Sequence, residues 1–199
     1  VYELGELADG TPFLAMKLVR GETLSALLKA RPSPSADLPR WVQVFEGIAQ
    51  AVGFAHSRGV IHRDLKPLNV MVGEFGEVQV MDWGLARTFA ISDLRLSIEP
   101  PGGQPHSAAD EHNQQSATDN QHLTAAGAVL GTPGYMAPEQ ARSEPLDPRA
   151  DVFALGAILA TILTGQPAFV GTTVNETVQK AAVAELADVL ARLDACGAD

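Results

Sequence analysis

The stretch His62-Arg63-Asp64-Leu65-Lys66-Pro67-Leu68-Asn69 lies in a loop between a helical pattern and a pair of short apolar segments. Asp64 and Asn69 are five residues apart, with Lys66 between them. Moving a phosphoryl group onto a hydroxyl asks three things of a protein. They are a carboxylate to orient the hydroxyl and accept its proton, a cation beside the transferred group, and oxygen ligands for magnesium. Asp64, Lys66 and Asn69 offer one of each within a single turn-rich segment. A lone His-Arg-Asp is an ordinary surface loop with a salt bridge; eight ordered residues are far more specific.

Three further clusters follow in order. Asp82-Trp83-Gly84 begins 13 residues beyond Asn69, directly after the second apolar segment. A carboxylate at a strand end, followed by a glycine that lets the backbone turn, suits a second magnesium ligand. By itself the tripeptide reads as a strand-ending turn, and its placement is what favours the ligand. Gly131-Thr132-Pro133-Gly134-Tyr135-Met136-Ala137-Pro138-Glu139 alone reads as a Gly/Pro turn cluster leading into a helix. Asp151-Val152-Phe153-Ala154-Leu155-Gly156 opens the most apolar helical pattern, and a structural role as a cap or paired charge is expected for Asp151.

The remaining pattern fits a small mixed domain. Residues 1–7 and 12–19 read as a hairpin, residues 23–29 as a short helix, and residues 39–58 as a helix closed by Gly59. On that longer helix Phe45, Ile48, Ala49 and Val52 recur at helical spacing. Residues 70–72 and 78–81 read as a second hairpin, residues 148–164 as an apolar helix, and residues 175–193 as a last, Ala-rich and amphipathic helical region. Between residues 88 and 128 polar residues, prolines and glycines dominate, so a mobile, disordered insertion is expected. The 199 residues suit one domain; 46% are hydrophobic and the net charge is -10, which argues against nucleic acid or an anionic membrane as partner. One cysteine, Cys196, permits no internal disulfide, so a cytoplasmic location is the default. No apolar run reaches the roughly 18–20 residues of a membrane span.

Taken together the four clusters resemble the eukaryotic-like (Hanks-type) serine/threonine protein kinases of bacteria, over the whole chain apart from the 88–128 insertion. The resemblance implies an α+β, protein-kinase-like fold. Residues 1–18 would be the remnant hairpin and hinge start of the smaller N-lobe, and residues 19–199 the mainly helical C-lobe. It implies ATP and Mg2+ as cofactors and protein serine or threonine hydroxyls as acceptors. Asp64 would be the catalytic base, Lys66 would contact the transferring phosphate, and Asn69 and Asp82 would bind the metal. Thr132 would bond the aspartate and lysine, and Asp-Leu-Lys-Pro-Leu-Asn is the serine/threonine form of the loop. Met16 would be the gatekeeper, the backbones of Lys17 and Val19 would bond the adenine edge, and Met71 would lie beneath it. Asp82-Trp83-Gly84 would open the activation segment, and Ala137-Pro138-Glu139 would close it. Arg63 beside Asp64 is the arrangement of kinases switched on by phosphorylation of that segment; Ser116, Thr118 and Thr124 are candidate switch sites, with solvated loop residues as the alternative reading.

The sequence contains no G-x-G-x-x-G, and no strand lysine or paired helix glutamate is recognised. Both are expected upstream of Val1, and a cation for Glu139 is expected beyond Asp199. A fragment truncated at both ends is therefore expected, with little activity as an isolated chain. Two rival readings stand beside the kinase. One is a pseudokinase or binding scaffold, which the intact Asp64, Lys66, Asn69 and Asp82 argue against. The other is a small-molecule phosphotransferase of the aminoglycoside or choline kinase type, which would lack the Gly131–Glu139 segment.

Overall fold

The computed structural model describes residues 2–15, 17–89 and 131–197. Two long helices organise it. Helix α2, Leu38–Ser57, buries Trp41, Val44, Ile48 and Val52, a stripe at three- and four-residue spacing. That stripe is rotated slightly from the expected one: Phe45 and Ala49 are half-buried at its edge. Gly59, with φ 70°, turns the chain out of the helix as expected.

Helix α4, Pro148–Thr164, starts where Asp147 caps it by accepting a hydrogen bond from the Arg149 N–H (2.8 Å). It stops at Gly165, whose φ of 77° suits a residue without a Cβ. Its two apolar faces serve two cores. Ala154, Ile158 and Ile162 pack with the α2 stripe, Leu24, Leu65, Val70 and Val72. Ala157 and Ala160 face a second cluster that holds Met136, Phe169, Ala181 and Val189. A helix apolar around most of its circumference is an interior helix, and α4 is the post on which the rest is mounted.

The strands are short. Strands β1 (Glu3–Glu6) and β2 (Pro12–Ala15) pair antiparallel, with Glu3 opposite Ala15. Strand β3 (Glu22–Thr23) leads into helix α1 (Leu24–Ala30), capped by the Thr23 hydroxyl. Strand β4 (Val60–Ile61) follows α2. Strands β5 (Val70–Val72) and β6 (Val78–Val80) form the second hairpin, with Val70 opposite Val80, and β3 joins β5 to give a three-stranded sheet. Strand β7 (Arg87–Thr88) pairs with β4. The assignment is α+β, as expected.

Two local expectations are corrected. The first hairpin strand pair ends at Ala15 and not at residue 19. Thr88 belongs to β7 and not to the insertion, because its backbone is paired with Val60 and the Phe89 N–H reaches the Gly59 carbonyl (2.8 Å). The helical region expected over 175–193 consists of two helices, α5 (Val174–Ala182) and α6 (Ala187–Asp194). From the end of α3 (Pro138–Ala141), Arg142 donates to the Ala182 carbonyl (2.7 Å), giving the last turn of α5 a partner from outside the helix. Met16 and the switch residues Ser116, Thr118 and Thr124 lie outside the described residues. Among the described residues, no helix is long and apolar enough to cross a membrane.

Candidate active site

The 62–69 loop is held from beneath by α4. Asp151, only 1% exposed, accepts hydrogen bonds from the His62 N–H (2.8 Å), the Arg63 N–H (2.9 Å) and the His56 ring (2.8 Å). A buried carboxylate is stable only when its lone pairs are filled, and here two of the three donors are the backbone of the loop itself. The role expected for Asp151, a paired structural charge, is thus to seat that loop. It is not the helix cap, which is Asp147.

Arg63 sits at φ 70°, in the left-handed region. That conformation costs an L-residue about 1–2 kcal/mol, and it is held from three sides. Asp151 takes its N–H, Gln140 donates to its carbonyl (2.6 Å), and its Nε donates to the Leu85 carbonyl. Burial pulls the Arg63 guanidinium below its ordinary value; the Arg87 charge adds to this and Asp151 partly offsets it. His62 is fully buried. Its Nδ1 accepts from the Asp64 N–H (3.3 Å), so the proton is assigned to Nε2, which donates to the Met81 carbonyl (2.9 Å). Its ring lies 4.5 Å from that of Trp83, whose Nε1 donates to the Val80 carbonyl. His62 thereby links the two halves of the site.

Above this base stand Asp64, Lys66, Asn69 and Thr132. Lys66 Nζ donates to Asp64 Oδ2 (2.6 Å) and to Thr132 Oγ1 (2.9 Å), and the Thr132 hydroxyl donates to Asp64 Oδ1 (3.0 Å). Asn69 Nδ2 reaches the Asp64 carbonyl (2.9 Å) and Oδ2 (3.3 Å). An ionised carboxylate offers about four lone-pair positions. Lys66, Asn69 and Thr132 use three, which leaves one for a hydroxyl arriving from outside.

Both hydrogen bonds of the Asn69 amide run from Nδ2, so its Oδ1 is the atom left for a cation. The Asn69 carbonyl accepts from the Met81 N–H (2.7 Å), which continues the β5–β6 ladder and delivers Asp82 at its end. Asp82 is exposed, with φ 59° and no side-chain capping bond. A Cβ at Gly84 would lie 3.3 Å from Asp82 Oδ1, so the glycine leaves that carboxylate room. Among the described residues no three His, Cys, Asp or Glu side chains converge. A pair of hard oxygen donors fits magnesium, which completes its shell with phosphate oxygens and water.

The residues expected around adenine are arranged less tightly. Met71 lies on β5, half-buried, opposite Thr23 and Gln79. Lys17 is exposed and Val19 half-buried in the stretch joining β2 to β3. A cleft of about 510 Å³ opens between Lys17 and Leu18 on one side and the hairpin tip around Phe75 on the other. Ala137 is buried, and Pro138 and Glu139 open α3.

A groove of about 580 Å³ adjoins Thr132 and runs past Tyr135, Pro167, Phe169 and Val174. Tyr135 is held by a hydrogen bond from Thr161 (3.4 Å), and burial raises its phenol above the ordinary value. Another cleft, of about 610 Å³, lies beside Glu139, Asp147 and Arg149, and none of Asp64, Lys66, Asn69 or Asp82 is among the described residues that line it. The residues that sequence reasoning missed, His56 and Gln140, act across 95 and 77 positions of chain, a separation with no local signature.

Comparison with known proteins adds an independent line. A family model described as protein kinase domain matches residues 7–194. The serine/threonine-protein kinase PknB of Mycobacterium leprae is 34% identical over 175 residues, covering 86% of this chain and 23% of the relative. PknB of Mycolicibacterium smegmatis is 36% identical over 174 residues, again 86% and 23%. The serine/threonine-protein kinase PknD of Protochlamydia amoebophila is 34% identical over 186 residues, 88% of this chain and 18% of the relative. The chain spans less than a quarter of the length of these curated relatives.

Proposed function

The chain belongs to the protein kinase family, and from that membership we propose that it transfers the γ-phosphoryl group of ATP to serine and threonine hydroxyls of proteins. The observation that carries the reading is the single Thr132 hydroxyl, which donates to Asp64 Oδ1 while accepting from Lys66 Nζ. It joins the 62–69 loop to the far end of the activation segment in one polar cluster. A small-molecule phosphotransferase has no use for that joint.

The acceptor hydroxyl takes the free lone pair of Asp64, which orients its oxygen toward the γ-phosphorus. As the new O–P bond forms, the bond to the bridging β,γ-oxygen breaks. ADP leaves with that electron pair, and the hydroxyl proton passes to Asp64. Lys66, fixed by two hydrogen bonds, is placed to balance the charge on the equatorial oxygens in the transition state. Magnesium, held by Asn69 Oδ1 and the Asp82 carboxylate, would neutralise charge on the β- and γ-phosphates. Trp83 and His62 fix the start of the activation segment against the loop, so that Asp82 and Asp64 hold a constant relation.

We read residues 1–18 as the edge of the smaller lobe and residues 19–199 as the larger lobe. The nucleotide base would enter along Met16, Lys17 and Val19, with Met71 beneath. The cytoplasm, where ATP is abundant, is the setting this chemistry requires. The test is phosphate transfer from radiolabelled ATP to a serine- and threonine-rich protein, followed by phosphoamino-acid analysis. Phosphoserine and phosphothreonine that vanish in Asp64→Asn are expected. Transfer only to small-molecule alcohols, or transfer undiminished in Asp64→Asn, would overturn the reading.

A further inference from the structure

Arg192 is engaged in an unusual way. It stands on α6 with its side chain 17% exposed, and its ion pair with Asp188 (3.2 Å) uses only Nε. The other two nitrogens turn to the end of α4 and the loop beyond. One donates to the Pro167 carbonyl (2.9 Å) and the Ala168 carbonyl (3.2 Å). The other donates to Thr164 Oγ1 (3.2 Å) and the Gln166 carbonyl (3.4 Å). One planar fork therefore collects four acceptors just past a helix C-terminus, where the backbone dipole favours a cation.

That loop is a wall of the groove beside Thr132, to which Gln166, Pro167 and Phe169 contribute. The opposite wall is bonded to it: the Phe169 N–H donates to the Gly134 carbonyl (3.3 Å). A Cβ at Gly134 would stand 3.0 Å from the Pro167 side chain, so the two walls are already in close approach. The groove thus runs from a loop fixed by Arg192 to the Thr132 hydroxyl that bonds Asp64. No Asp, Glu, Lys or Arg is among the described residues that line it.

We propose that Arg192 is a positioning residue for the protein acceptor. It holds the 164–168 wall so that the groove grips an uncharged, apolar side chain flanking the serine or threonine to be phosphorylated. This rests on the kinase reading and names the substrate class for the same site. An unheld loop would leave the groove open and the acceptor poorly placed, while Asp64, Lys66 and the nucleotide side would be untouched. The effect belongs in binding of the peptide, not in the chemical step.

The experiment is steady-state kinetics of the full-length protein with two acceptor peptides, one apolar and one acidic beside the serine, together with peptide-independent ATP hydrolysis. With Arg192→Ala the KM for the apolar peptide should rise about tenfold, because four hydrogen bonds to the wall are lost. The KM for ATP and the peptide-independent hydrolysis should stay within about twofold of the unsubstituted protein. Arg192→Lys keeps the charge but not the fork, and should give an intermediate KM. An unchanged peptide KM overturns the proposal, as does a parallel loss of all three activities with a lowered Tm, or a preference for the acidic peptide. Should Arg192→Ala fail to fold, Arg192→Lys decides on the same measurements, with an unchanged peptide KM again overturning the proposal. If the unsubstituted protein transfers no phosphate to either peptide, it is the kinase reading that fails.

Discussion

The Thr132 hydroxyl and the Asp64 carboxylate meet at 3.0 Å across 68 residues of chain, and Lys66 bonds both. A hydroxyl has one proton to give. Thr132 gives its own to Asp64, so the lysine contact must be an accepted one. That polarity fixes the direction of the whole cluster: the Lys66 ammonium donates to Thr132, and Thr132 in turn donates to Asp64. The 62–69 loop and the 131–139 segment are thus joined through these three side chains.

Asp64→Asn preserves the shape of this cluster but removes the proton acceptor, so phosphate transfer should fall by about a thousandfold. Nucleotide affinity, measured by fluorescence or calorimetry, should change by no more than a few-fold. Thr132→Ala removes two hydrogen bonds to charged groups, one to Asp64 and one from Lys66, each worth roughly 1.5–3 kcal/mol, and should slow transfer by about a hundredfold or more. Full activity in Thr132→Ala would mean that Asp64 needs no partner from the activation segment.

Asp151→Ala should be far more damaging to stability than an exposed substitution. It strands the buried N–H groups of His62 and Arg63 and takes the partner of His56. Each unsatisfied buried donor costs about 1–3 kcal/mol, so a loss of at least about 3 kcal/mol is expected in urea unfolding. The left-handed Arg63 should also relax, and activity at permissive temperature should drop with it. A loss below about 1 kcal/mol would show that water replaces the carboxylate.

What the sequence disclosed, and what it withheld, divides by range. Asp64, Lys66 and Asn69 act within one loop, so their order along the chain already carries their geometry. Asp147 and Thr23 cap helices within three residues of themselves, and such local hydrogen bonds have local signatures. Asp151 was visible as a charge in an apolar helix, but its partners come from two other elements and could not be named. Gln140 and Arg192 carry no signal in the sequence, because backbone carbonyls as acceptors leave no trace in side-chain pattern. Helix α2 was placed well and its buried face slightly misjudged. Phe45 packs half-buried against the core, in which Trp41 and Val44 are the residues buried outright.

Glu176 should make the stability of α5 sensitive to acid. Hydrogen bonds from Thr172, through its hydroxyl (2.6 Å) and its N–H (2.7 Å), together with Lys180, lower its pKa from 4.5 to about 2. A carboxyl depressed on folding contributes stability above its ordinary value and loses it as pH falls through the folded one. Glu176→Gln should therefore unfold at lower urea than the unsubstituted protein at pH 7. The gap should hold to about pH 5 and close toward pH 2. A gap that persisted unchanged at pH 2 would mean that the glutamate acts through shape and not through charge.

Ala184→Gly decides between the two ways of reading residues 174–194. After α5 the Ala184 N–H donates to the Ala181 carbonyl (3.0 Å) and the Glu185 N–H to the Lys180 carbonyl (2.9 Å). This pair of bonds is the Schellman termination, which wants a left-handed residue at its centre and usually finds glycine there. Here the central residue is Ala184 at φ 52°. Its Cβ costs about 1–2 kcal/mol in that conformation, and glycine gives back part of the gain through its freer unfolded state. The net expectation is a protein more stable by about 0.5–1 kcal/mol, read as a higher urea midpoint at unchanged slope. In a continuous helix over residues 175–193 the same substitution would place glycine in a helix interior. It would then cost about 1 kcal/mol. The two accounts differ in the sign of a single measurement. A destabilised Ala184→Gly would also remove the separate α6 on which Arg192 reaches the acceptor groove.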